Sequence, residues 1–143
     1  MIERVGSRGG GEIEKITALI VDDDPIVVHG LKSILRAVSE IEVVGTAEDG
    51  LKAVDEALRL RPRLILMDAQ ISEDGGLEAT RRIREGSPES RVLFMTVHMT
   101  DIDTALEAGA DGYVMKDSGR RELLRAITRL AGLKNGKRRD LRP

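Results

Sequence analysis

The sequence predicts an α/β fold: one doubly wound parallel sheet of five strands, with five helices covering both faces. Two observations carry that expectation. Five short apolar runs, rich in branched aliphatic residues, recur along the chain. Between them lie five segments whose apolar residues recur at helical spacing, and strict β-α alternation of this kind builds a parallel sheet buried on both sides.

The elements follow in order. The first apolar run is ITALIV, 16–21, and a helix is expected over 25–38, with Val28, Leu31, Leu35 and Val38 on one face. Asp24 followed by Pro25 reads as an N-cap with proline at the first helical position. The second run, EVVGTA, occupies 42–47, and its helix is expected over 51–60, stopped near Pro62. LILM, 64–67, precedes a helix at 77–85; VLFM, 92–95, precedes one at 100–108, ended by Gly109. GYVM, 112–115, precedes the last helix at 120–133. Met67, Met95 and Met115 lie in these runs as core filler. Residues 1–15, with the run Gly9-Gly10-Gly11, read as a flexible leader, and 134–143 as a basic, solvated tail.

Composition narrows the function classes. The 143 residues suit one domain, with a core that must be aliphatic because Phe94 and Tyr113 are the only aromatics. Without cysteine, disulfides and thiolate chemistry are excluded, and His29 and His98 alone do not suggest zinc. A net charge of −2 with mixed signs gives no general pull toward nucleic acid. No apolar run is long enough to cross a bilayer and no signal peptide is visible, so a cytoplasmic protein is expected.

Right-handed crossovers bring the C-terminal ends of parallel strands to one edge, where such sheets bind ligands. Asp22 and Asp23 follow the first run, Asp68 the third, Thr96 the fourth and Lys116 the fifth. Clustered carboxylates offer hard oxygens to Mg²⁺, which offsets their mutual repulsion. A carboxylate beside the metal can take a phosphoryl group, with Lys116 and Thr96 placed to contact its oxygens.

The stretches LIVDDDP, LILMDAQ, GLEATRRIR, VLFMT and ALEAGADGYVMKD, in that order, resemble the receiver domains of two-component response regulators. Together with IEVVGTAEDG, the last looks most like receivers of the LuxR-type (NarL/FixJ-like) output class. The resemblance covers 16–133 and implies a flavodoxin-like sheet with strand order 2-1-3-4-5. It implies that Asp68 is the phosphoacceptor, fed by a sensor histidine kinase. Mg²⁺ would be held by Asp22, Asp23, Asp68 and the backbone carbonyl of Gln70. Thr96 and Lys116 would read the phosphoryl group, and Tyr113 would turn inward as Thr96 engages it. The fourth helix, fifth strand and fifth helix would carry the signal and could pair two copies. Such a domain catalyses only its own phosphorylation and dephosphorylation, and does not itself bind nucleic acid.

Three positions depart from that pattern. Ser72 stands where a proline is common, the stretch 96–109 is about two residues short, and Gly119 replaces a capping residue before the last helix. Ten residues follow Leu133, too few for a helix-turn-helix domain, so a shortened chain and a stand-alone receiver both remain open. Two other functions fit parts of the pattern. One is a pseudo-receiver that docks proteins without phosphorylation. The other is a haloacid-dehalogenase-like phosphatase, in which Asp22 would be the nucleophile and Asp24 the acid–base.

Overall fold

The computed structural model describes residues 15–71, 75–97 and 102–133. Ten elements alternate: β1 (Ile16–Val21), α1 (Pro25–Arg36), β2 (Ile41–Ala47), α2 (Gly50–Leu60), β3 (Leu64–Asp68), α3 (Leu77–Gly86), β4 (Arg91–Thr96), α4 (Ile102–Glu107), β5 (Gly112–Met115) and α5 (Arg120–Ala131). All strand pairs are parallel, in the order β2-β1-β3-β4-β5. This is the fold the sequence predicts.

Side-chain alternation along each strand divides the core in two. On one face, Leu19, Val21, Ile65, Met67, Val92 and Phe94 meet the small and branched residues of α2 and α3, with Ala105 of α4. On the other, Ala18, Ile20, Leu64, Leu66, Leu93 and Met95 meet Leu31 and Leu35 of α1 and Leu123, Ala126 and Ile127 of α5. Strands apolar on both faces have no solvent side, which is why they appear in sequence as unbroken runs.

Helix limits differ modestly from the periodicity. α1 stops at Arg36 rather than 38, because the chain must turn into β2: Ala37 N–H bonds back to Ile34 and Val38 N–H to Leu35. α5 stops at Ala131, where Gly132 takes a left-handed conformation that closes the helix. α2 starts at Gly50, capped by Asp49, whose carboxylate accepts from Lys52 N–H. α4 has six described residues, Ile102–Glu107, and the expected start at 100 lies outside the described residues. Ser72, His98, Met99, the leader before Lys15 and the tail beyond Leu133 lie outside the described residues.

Candidate functional site: an acidic cluster at the strand ends

The strand ends are held side by side by backbone hydrogen bonds just past the regular ladder. Asp22 N–H donates to Ala47 C=O at 3.0 Å, Ala69 N–H to Met95 C=O at 2.9 Å, and Lys116 N–H to Thr96 C=O at 2.7 Å. These bonds bring together residues spread across nearly a hundred positions of sequence.

Asp22 and Asp68 are each only 3% exposed, and Thr96 only 1%, whereas Asp23 lies at the surface. One oxygen from each of Asp22, Asp23 and Asp68 lies within 4.8 Å of the others. Asp22 Oδ1 accepts from Asp24 N–H at 2.9 Å, while its buried Oδ2 has no hydrogen-bond donor among the described residues. Lys116 reaches in from the end of β5, with Nζ 2.8 Å from Asp68 Oδ1 and 3.5 Å from Asp22 Oδ2. Gln70 N–H also donates to Asp68 Oδ1, at 3.1 Å.

The electrostatics follow from that geometry. Burial pushes the Asp22 carboxyl above the usual carboxylate range; the Asp24 N–H bond opposes this, Asp68 adds to it and Lys116 opposes it. For Lys116, burial pulls the ammonium down, but the hydrogen bond and charge of Asp68, with Asp22 behind, outweigh it and the net shift is upward. A single ammonium cannot balance three gathered carboxylates, and Asp22 Oδ2, buried with Lys116 Nζ only at 3.5 Å, is left under-satisfied. Hard carboxylate oxygens at this spacing fit a small divalent cation of the Mg²⁺ type.

Asp22, Asp23, Asp68, Thr96 and Lys116, singled out from sequence, thus converge at one edge. Asp24 is separate: its carboxylate accepts from Ile26 N–H at 2.9 Å and caps α1. That use leaves the acid–base of the phosphatase alternative committed to a helix end. Tyr113 lies on β5 with its side chain largely outward, 42% exposed. His29 is exposed on α1, and Met67 and Met95 are buried in the sheet. At the opposite edge, the polar network of Arg84, Ser87, Ser90 and Asp111 carried no signal in the sequence; it joins α3 and the α3–β4 connection to Asp111, distant in sequence, just before β5.

A parallel 2-1-3-4-5 sheet with an acidic cluster beyond strands 1 and 3 and a lysine beyond strand 5 defines a receiver-type fold and site. Residues 18–128 match the response regulator receiver domain, and the chain belongs to that family. It is 38% identical over 120 residues to the nitrate/nitrite response regulator NarL of Escherichia coli, spanning 82% of this chain and 56% of that protein. The chain therefore spans about half the length of the curated relatives it matches. A LuxR-family two-component response regulator from Aurantimonas superposes with a TM-score of 0.78 at 34% identity, covering 83% of this chain and 86% of that one. The receiver domain of a sensor histidine kinase from Pseudomonas aeruginosa superposes with a TM-score of 0.73 at 31% identity, over 82% of this chain and 98% of that one; it carries a magnesium ion coordinated in its active-site cleft. The chain is a receiver of the NarL/LuxR type.

Proposed function

We propose that Asp68 accepts a phosphoryl group from the phosphohistidine of a sensor histidine kinase. The observation that carries this is the pairing of buried Asp68 with Lys116 Nζ at 2.8 Å, inside a three-carboxylate cluster. An Asp68 carboxylate oxygen forms the new P–O bond as the P–N bond of the donor breaks, and the electron pair of that bond returns to the imidazole. Lys116 follows the charge onto the phosphoryl oxygens. Thr96, at the end of β4, offers its hydroxyl to another of them.

Asp22, Asp23 and Asp68, with the Gln70 backbone carbonyl, would hold Mg²⁺. When bound, that ion supplies charge neutralisation between the carboxylates and the incoming phosphoryl group. The ordered receiver is taken as 16–133, in a cytoplasmic protein. The new charge at Asp68 draws Thr96 toward it, Tyr113 turns inward from its exposed position, and the surface of α4, β5 and α5 changes. That surface would meet the output partner or a second copy of the chain, and the receiver itself would contact no nucleic acid and turn over no separate substrate.

The test is intact-mass spectrometry after incubation with acetyl phosphate and Mg²⁺. A gain of one phosphoryl group, absent without Mg²⁺ and absent in Asp68→Asn, is expected. No gain, together with no binding of Mg²⁺ or beryllofluoride, would favour the docking module that is never phosphorylated.

A further inference from the structure

The switch helix α4 is held very unevenly. Within its span only Ala105 is buried, whereas α5 buries Leu123, Ala126, Ile127 and Ala131. Its C-terminal end is nonetheless fixed. Ala108 and Ala110 are buried, and Ala110 N–H returns to Ala105 C=O at 3.0 Å. Asp111 then ties the turn to the start of β4 twice over. Its N–H donates to Val92 C=O and its Oδ2 accepts from Val92 N–H, both at 2.8 Å.

Arg84 of α3 completes the tie. Its Nη1 donates to Ser90 C=O and lies 3.3 Å from Asp111 Oδ2, while Arg91 Nη1 lies 3.3 Å from Asp111 Oδ1. The stem of Arg84 crosses the end of α4 at Gly109, where φ is +110°. A Cβ at that position would sit 2.5 Å from Arg84 Cγ, so only glycine lets the arginine pass. Asp111 and Arg84 are 16% and 26% exposed, sheltered enough for the pair to resist screening better than a surface bridge.

We propose that Arg84 and Asp111 are positioning residues that form the fixed end of the switch. The inference rests on the receiver reading above. A change at Thr96 enters α4 from its N-terminal side, while the far end is pinned to β4 and α3. A rod held at one end tilts rather than slides, so the displacement is concentrated at the first turn of α4, from Ile102, away from the pinned end. Without the pin, the α4–β5 turn would yield with the helix and the signal would spread into β4.

Hydrogen-exchange mass spectrometry on the full chain tests this, using wild type, Asp111→Asn, and Arg84→Met, which keeps the stem over Gly109. Without ligand, 108–112 should be protected about tenfold more than 102–106 in wild type, and the margin should vanish in both variants while β1 and β3 keep their protection. With beryllofluoride and Mg²⁺, the wild-type change should stay within 102–107 and β5, and should spread to 91–93 and 108–112 in the variants. Equal exchange at the two ends of α4 in wild type, or the same ligand pattern in variants and wild type, would overturn the proposal. A wild-type chain with the protected turn but no ligand response anywhere would instead sink the receiver reading, leaving the pair a static staple and the lever refuted with it.

Discussion

The two edges of the sheet treat buried polar groups in opposite ways. At the edge where the strands begin, Ser87 and Ser90 are fully buried, and their hydroxyls bond each other at 2.8 Å while Ser90 Oγ also donates to Pro62 C=O. Arg84 and Asp111 are paired nearby. At the edge where the strands end, Asp22 and Asp68 are equally buried, yet Asp22 Oδ2 lacks a hydrogen-bond donor among the described residues and one lysine faces two carboxylates. Satisfied polar groups lower the free energy of the fold; under-satisfied ones raise it and persist where a ligand or a reaction uses them. The contrast separates staple from site without reference to any relative.

Substitutions at each edge should break or sharpen that contrast. The largest effect is expected for Asp68→Asn, which should abolish the acetyl phosphate mass gain while circular dichroism reports an intact fold. Lys116→Ala should retain some acceptance but slow it by about 100-fold, as loss of one preorganised donor to a developing charge does; stopped-flow quenching or timed mass spectra would read the rate. Ser90→Ala belongs to the other edge. It should lower stability by about 1–3 kcal/mol in urea titrations, by stripping Ser87 and the Pro62 carbonyl of a partner, and leave labelling of Asp68 unchanged.

Asp22→Asn should have the smallest effect on stability, and the opposite sign. The Asp22 carboxyl titrates higher in the folded chain than its ordinary 3.8. The unfolded chain therefore loses this proton first as pH rises, and stability falls from pH 3.8 upward until the folded carboxyl has also ionised. Below 3.8 that penalty is absent. Removing it should raise the metal-free stability at pH 7 by about 1 kcal/mol, while Mg²⁺ should no longer raise the melting temperature. A variant less stable than wild type in EDTA would place Asp22 among the staples.

Much of this was legible in the sequence because the sheet is buried on both faces. Runs such as LILM and VLFM have no solvent side, so composition alone marks the strands, and right-handed crossovers then dictate which ends meet. Asp22, Asp68, Thr96 and Lys116 were legible for the same reason: each sits one step past an apolar run. The Arg84–Asp111 pair was not, since arginine on a helix and aspartate in a turn are ordinary residues until tertiary structure joins them across 27 positions. The ends of α1 and α5 were each placed two residues too late, because the apolar spacing continues past the points where the chain turns or a left-handed glycine closes the helix.

The outer strands hold a last consequence. In β2 the register slips: Ala18 pairs with Val43 but Leu19 with Gly45, so Val44 is an extra residue in the sheet's first open margin. A side chain at Gly45 would meet Leu60 Cδ1 at 2.9 Å, so the irregularity is built into the packing of α2. At the other margin, β5 has only four residues. One border is bulged and the other brief, and neither offers the long, straight row of unpaired amides on which strands of separate molecules stack into fibrils. If copies of the chain pair through α4, β5 and α5 as proposed, such borders keep them from joining by strand addition instead.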